Sequence, residues 1–188
     1  MDRFLTMIAL EVMLCHWDGY GMNKNNYRVF SDKESGKMIF MPHGMDQMFG
    51  VGGMGVQTAV FPQMKGMVAR AVVGTTEGRS HYRMKMMELR TNVFNVEAIT
   101  ARVRQIEARI RPMIAEIRSG AVARHQSYVN SLCRSIAMRG ESLDDQLDGS
   151  TGETNFDKNG VAHLDGWRPR NPENGGQFRK INGPNGTS

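Results

Sequence analysis

Between residues 79 and 138 apolar side chains recur at helical spacing, and Val96, Ile99, Val103, Ile106, Ile110, Met113 and Ile117 form a near-heptad stripe. Such a stripe needs a helix whose apolar face is covered, so the second half of the chain is committed to helix packing. One stripe of this kind is expected to pack on its own domain rather than to dimerise. Pro112 lies inside it and predicts a kink or a break, because proline lacks the N–H that a continuing helix needs. A further helix is expected from about Val122 to Met138. Ser142 followed by Asp145 then suggests the cap of a last short one.

The first half follows other periods. Phe4, Leu5, Ile8, Val12 and Met13 place a helix over residues 2 to 15, which delivers the chain to the polar loop HWDGYGMN. After the loop, NNYRVFS and KMIFM are short runs rich in aromatic and branched residues, separated by the turn residues DKESG, and they predict a β-hairpin. The stretch MPHGMDQMFGVGGMGVQ has neither period and reads as a long irregular loop, a kind of segment that often carries function. The fold class expected is α+β, mainly helical, with one hairpin.

Composition narrows the class of function. At 188 residues, with 40% hydrophobic and 23% charged residues, the chain has the length of one ordinary globular domain. The formal charge of +5 comes largely from arginines along helix-like segments, as a solvated helix face would have, so charge by itself is a weak argument for nucleic acid. Cys15 and Cys133 lie in apolar helical contexts without metal-ligand spacing and read as buried thiols. No apolar run is long enough to span a membrane. The start, MDRFLTMIALEVML, reads as an amphipathic helix rather than a signal peptide. Residues 148 to 188 turn to Gly, Asn, Asp and Pro and are expected to form a flexible tail, which leaves 1 to 147 as the structured portion.

The loop carries the chemistry. His16, Asp18 and Asn23 stand as H-x-D-x-x-x-x-N after a helix; a hairpin follows, and then a loop aspartate, Asp46 in GMDQMFG. Protein kinases lay out their phosphoryl-transfer residues in this order. Transfer of a γ-phosphoryl group depends on positioning and charge neutralisation, so it wants a carboxylate at the acceptor hydroxyl and oxygen ligands for a divalent cation. Asp18, Asn23 and Asp46 could supply them. The competing reading is structural: Asp18 caps a turn and Asn23 occupies a left-handed bend.

The run HWDGYGMNKNNYRVFSDKESGKMIFMPHGMDQMFG resembles the core signature of the CotH kinase family, spore coat protein H-like atypical protein kinases whose members carry W-D-G-Y, N-N-Y and an aliphatic-F-x-P-W-D-x-D-x-x-F-G pattern. GRSHYRMKMMELRTNVFNVEAI and the closing IAMRGESLDDQL resemble the family's helical half and its R-x-x-x-aliphatic-x-x-Q-L ending, so the likeness covers roughly residues 2 to 147. The resemblance implies a protein-kinase-like fold, here the mainly helical C-lobe with the hairpin carrying the catalytic and metal loops. It implies ATP as cofactor with Mg2+ or Mn2+, and a surface or coat protein as substrate. Carried over by position, Asp18 is the catalytic residue, Asn23 and Asn26 are the cofactor-binding asparagines, and Asp46, with Asn23, is the metal ligand. The family's habits place such proteins in spore coats, at cell surfaces or outside the cell.

Two departures accompany the likeness. Where the family has W-D-x-D, this chain has His43-Gly44-Met45-Asp46, so Gly44 replaces one acid; the site is expected to survive on Asp46, with His43 in a packing or supporting role. Only 15 residues precede His16, too few for the phosphate-binding loop and lysine of a kinase, so the sequence reads as the C-terminal portion of a longer protein. Gly50-Val51-Gly52-Gly53-Met54-Gly55 matches G-x-G-x-x-G, but without the strand and helix that a dinucleotide fingerprint requires it reads as flexible backbone. The 16 methionines fit an adaptable core or a lobe interface. Two other functions stay open: a non-catalytic structural or assembly protein of a cell or spore surface, and nucleic-acid binding by the arginines of 102 to 124. The oligomeric state is not legible.

Overall fold

The computed structural model describes residues 1–118 and 120–148, and two short segments at 155–156 and 162–163. Its order is α1 (Asp2–Met13), α2 (Tyr20–Asn23), β1 (Tyr27–Ser31), β2 (Met38–Pro42), α3 (Met67–Val73), α4 (Thr76–Asn92), α5 (Val96–Ile117) and α6 (Ala121–Leu147), then the strands β3 (Asn155–Phe156) and β4 (Ala162–His163). The molecule is α+β and mostly helical, as expected. The tail reading for 148–188 lies outside the described residues, apart from Asp148 and the antiparallel β3–β4 pair. Among the described residues no helix is long and apolar enough to cross a membrane.

α1 buries Leu5, Ile8, Ala9, Val12 and Met13, one face of a helix at the spacing the sequence predicts, and packs on α4 through Tyr82, Met86 and Leu89 of the same core. β1 and β2 form the predicted hairpin, pairing Tyr27 with Pro42, Val29 with Phe40 and Ser31 with Met38. Its inner face is aromatic: Tyr27 and Phe40 stack with centroids 6.0 Å apart, and Tyr20 and Phe4 close the cluster. That cluster fixes the hairpin to α1 and to the loop between them.

Three expectations about the helical half are corrected, and one helix ahead of it is added. α3 was not foreseen, because its seven residues are too few to show a period. α5 runs through Pro112 without a break; proline falls in the last two turns, where the helix faces solvent and little packing opposes the loss of one bond. The α5 stripe is covered only in its first half. Val96, Ile99 and Val103 pack on the core, whereas Ile106, Met113 and Ile117 are 44%, 59% and 77% exposed. Finally, α6 is one helix of 27 residues rather than two. Gly140 and Ser142 look like punctuation, but a Cβ at Gly140 would stand 2.6 Å from Val96 Cγ2, so the glycine marks where α5 crosses α6 closely. Ser142 accepts a hydrogen bond from Gln146 Nε2 (2.9 Å) inside the helix and caps nothing.

α6 also ties the irregular loop to α1. The Arg139 guanidinium is fully buried and donates to four carbonyls: Val12 (2.9 Å) and Met13 (3.1 Å) at the end of α1, and Val56 (3.0 Å) and Thr58 (2.7 Å) in the loop. Two turns further on, Gln146 Oε1 accepts from Val60 N (2.9 Å). Tyr82, buried in α4, donates its hydroxyl to Val60 O (2.9 Å). A stretch without period is thus held by side chains from two helices.

Candidate functional site

The loop after α1 is shaped by a charge hidden in the helix. Glu11 is fully buried, and its carboxylate accepts from the backbone N–H groups of Tyr20 (3.0 Å) and Gly21 (2.8 Å) at the start of α2. A Cβ at Gly19 would lie 2.6 Å from Glu11 Cδ and 2.7 Å from His16 Cδ2, so the glycine of W-D-G-Y is needed for the loop to close over the carboxylate. Burial pushes the Glu11 pKa up from 4.5 to about 7, against the two backbone hydrogen bonds, which lower it.

A carboxyl group whose folded pKa is raised binds its proton more tightly when folded, so its stabilisation is complete below about pH 4.5 and is lost as pH rises through about 7. At about 1.4 kcal/mol per pH unit the change is on the order of 2–4 kcal/mol. Denaturant midpoints from pH 4.5 to 8 are expected to show Glu11→Gln losing less stability than the wild type as pH rises. Parallel curves would contradict the assignment.

Beyond Glu11 the chain reverses twice. Lys24 (φ 59°) and Asn26 (φ 45°) are left-handed, so the bend predicted for Asn23 falls one residue later, Asn23 being the last residue of α2. The reversal brings three asparagine amides onto one carboxylate. Asn23 Nδ2 donates to Asp18 Oδ1 (2.6 Å), and Asn25 Nδ2 (2.9 Å) and Asn26 Nδ2 (3.0 Å) donate to Asp18 Oδ2. Asp18, half-buried, is therefore the centre of a polar cage and not only a turn cap.

The second loop meets the first at Asn26. Its carbonyl accepts from His43 N (3.0 Å), and its Nδ2 also reaches the Gly44 carbonyl (3.4 Å). Gly44 has φ +61°, and a Cβ there would lie 2.8 Å from Asn26 Cγ, so in this backbone the replaced acid has no room and the Asn26 amide fills its place. His43 is exposed and takes part through its backbone. Asp46 is exposed at the mouth of the loop.

His16 lies at the centre of the loop's electrostatics. It is fully buried, and neither ring nitrogen has a hydrogen-bond partner among the described residues. Burial holds its pKa below the ordinary value; the negative charge of Asp18, the nearby His43 backbone and then Asp46 act against that. The His43 peptide acts on the ring from close by without completing a hydrogen bond. The charges of Asp18 and Asp46 both act on this imidazole, and Asn23 and Asn26 donate to Asp18, while Asp46 is joined to them through its loop, where His43 N bonds the Asn26 carbonyl.

The glycines at 50–55 serve packing. Trp17 Nε1 donates to Gln47 Oε1 (3.0 Å), a Cβ at Gly52 would stand 2.1 Å from that same nitrogen, and Gly53 lies against the indole. Gly50 (φ +89°) and Gly52 (φ +94°) adopt backbone that favours glycine. The segment read as flexible backbone is a bed for the tryptophan of the loop after α1. Phe49 N donates to Leu14 O (2.9 Å), which fastens the Asp46 loop to the end of α1.

Sequence reasoning missed Glu11, Asn25 and the role of Arg139. Glu11 had a signal, a charge among Ile8, Ala9, Val12 and Met13 on a face that must be buried. Asn25 stands in the N-N-Y element and Arg139 opens the R-x-x-x-aliphatic-x-x-Q-L ending, but neither motif says which atoms its residue binds.

Over 122 residues the chain is 25% identical to a protein described as Invasin CotH2 from Rhizopus delemar, covering 59% of this chain and 20% of that protein. The chain therefore spans about a fifth of the length of the curated relative it matches. The profile of the family described as CotH kinase protein matches residues 1–143, which take in the Asp18 cage, the Asp46 loop and the Arg139 clamp, and the chain belongs to that family.

Proposed function

We propose that residues 16–46 form the catalytic and metal-holding part of an ATP-dependent phosphotransferase of the protein-kinase type, acting on a hydroxyl of a polypeptide. The observation that carries this reading is the Asp18 cage: a carboxylate held by three amides, with a second carboxylate, Asp46, on the loop that His43 N ties to Asn26. Two carboxylates and amide oxygens form a hard donor set of the kind Mg2+ or Mn2+ takes while keeping several waters. The Asp46 carboxylate and the Asn23 amide oxygen would hold such an ion, with Asn26 beside them. When bound, the ion supplies neutralisation of phosphate charge.

Asp18 accepts the proton of the acceptor hydroxyl as that oxygen bonds to the γ-phosphorus. The bond from phosphorus to the bridging oxygen of ATP breaks, ADP leaves, and the proton passes from Asp18 to solvent. Asn23, Asn25 and Asn26 keep the Asp18 carboxylate aimed, and Glu11 holds the backbone beneath it. The test is transfer of γ-labelled phosphate from ATP to a serine-bearing protein acceptor. Transfer is expected with the wild type and is lost in Asp18→Ala; undiminished transfer by the variant would remove Asp18 from the role.

A further inference from the structure

Beside the cluster lies a trough of about 770 Å³ between α5, α6 and the Asp46 loop. Ile99, Val103 and Ile106 line it from α5, Leu132 and Tyr128 from α6, and Asp46 stands on its rim. α5 and α6 run antiparallel, since Val96 meets Gly140, Arg104 reaches Asn130 and Arg111 reaches Gln126, so Ile99 lies toward the Ile136 end of α6 and Ile106 toward Tyr128. From Ile99 to Ile106 is seven helical residues, about 10 Å, the length of about three extended peptide residues.

The lining is apolar except for two serines, Asp46 and one cation. That cation is Arg102, one turn from Ile99; it is exposed, its one side-chain hydrogen bond goes to Gln105 (2.6 Å), and no carboxylate pairs with it among the described residues. Ile106 and Tyr128 remain 44% and 68% exposed, a cost that a covering side chain would remove. Asp46 stands on the trough three residues after His43, whose N–H bonds the carbonyl of Asn26, and Asn26 in turn holds Asp18, so one end of the trough adjoins the loop that meets the Asp18 cage.

We infer that the trough binds the acceptor polypeptide. An extended segment next to the phosphorylated serine or threonine places an acidic side chain against Arg102 and a bulky aliphatic or aromatic side chain between Val103, Ile106 and Leu132. The inference rests on the phosphotransferase reading of Asp18 and Asp46, whose role fixes which end of the trough faces the hydroxyl. It adds what that reading leaves open, the side chains that select the acceptor.

The experiment is fluorescence polarisation with a labelled Gly-Ser-Glu-Leu-Phe-Gly peptide and, in parallel, with labelled ADP. Peptide binding is expected to weaken at least tenfold for Arg102→Glu and for Ile106→Ser, both exposed positions, and to survive Asp46→Ala. Replacing Glu by Gln or Leu-Phe by Ala-Ala in the peptide is expected to weaken binding comparably. ADP binding is expected to be unchanged by Arg102→Glu. Peptide binding that is lost in these variants while ADP never binds would support the trough and count against the phosphotransferase reading. ADP binding without peptide binding would overturn the trough alone. A loss of ADP affinity in Arg102→Glu would make the occupant a nucleotide, and conversion of a dimer to a monomer by Ile106→Ser would make it a second copy of the chain; either overturns the proposal.

Discussion

Replacing Asp18 by alanine or asparagine is expected to slow phosphoryl transfer by about 10²–10⁴-fold, the range that a positioned proton acceptor contributes. Both variants keep the loop's surroundings, because Glu11 holds Tyr20 and Gly21 through their backbone and Lys24 and Asn26 set the reversal. Asparagine keeps the shape of the side chain but offers only one acceptor oxygen to three donating amides, so one of them turns to water. The cage is half exposed, and the stability lost with it is expected to stay within about 1 kcal/mol. A purely structural Asp18 would give the opposite pattern, a lower denaturation midpoint with an unchanged rate. Measuring rate and midpoint on the same preparations separates the two.

Arg139→Met is expected to cost about 3–5 kcal/mol of folding stability, read from urea denaturation, a large share of what a domain of this size has. The guanidinium has no carboxylate partner among the described residues; its charge is met by four carbonyls, two of them at the C-terminal end of α1, where the helix dipole is negative. Methionine fills much of the volume and leaves those carbonyls short of donors in a site closed to water. Arg139→Lys keeps the charge but cannot span both chain segments, so its loss is expected to fall between the wild type and Arg139→Met. A loss under 1 kcal/mol in Arg139→Met would mean that water or repacking replaces the clamp. The same variant loosens Val56 and Thr58 from α1, so the Asp46 loop is expected to lose hydrogen-exchange protection first.

Periodicity carried much of the fold. α1, the hairpin and the helical character of the second half all follow from spacings of apolar residues, which report a local backbone and one covered face. What the spacings do not report is where a second element crosses. Gly140 and Ser142 looked like an ending because glycine and serine usually end helices, while here α5 presses on the glycine. Pro112 looked like a break because a buried helix tolerates none, while here the helix end is solvated.

The site was legible in part, for the same reason. Asp18, Asn23, Asn26 and Asp46 could be named because short motifs place them on either side of a predictable hairpin. The left-handed residues that turn the amides onto Asp18, and the Trp17 indole that needs Gly52, are properties of irregular backbone. Glu11 lies between these cases: a carboxylate on the buried face of a predicted helix has to find donors, but the sequence does not say which.

The most direct measurement is isothermal titration of the protein with ATP and Mg2+, repeated with Mn2+ and with Asp46→Ala. The account predicts metal-dependent binding by the wild type that falls at least tenfold in Asp46→Ala, with the fold unchanged by circular dichroism. Binding of equal strength in the variant, or none in either protein, would contradict the assignment of the Asp18–Asp46 cluster as a nucleotide–metal site and would leave a protein that keeps its family's loop for structural ends.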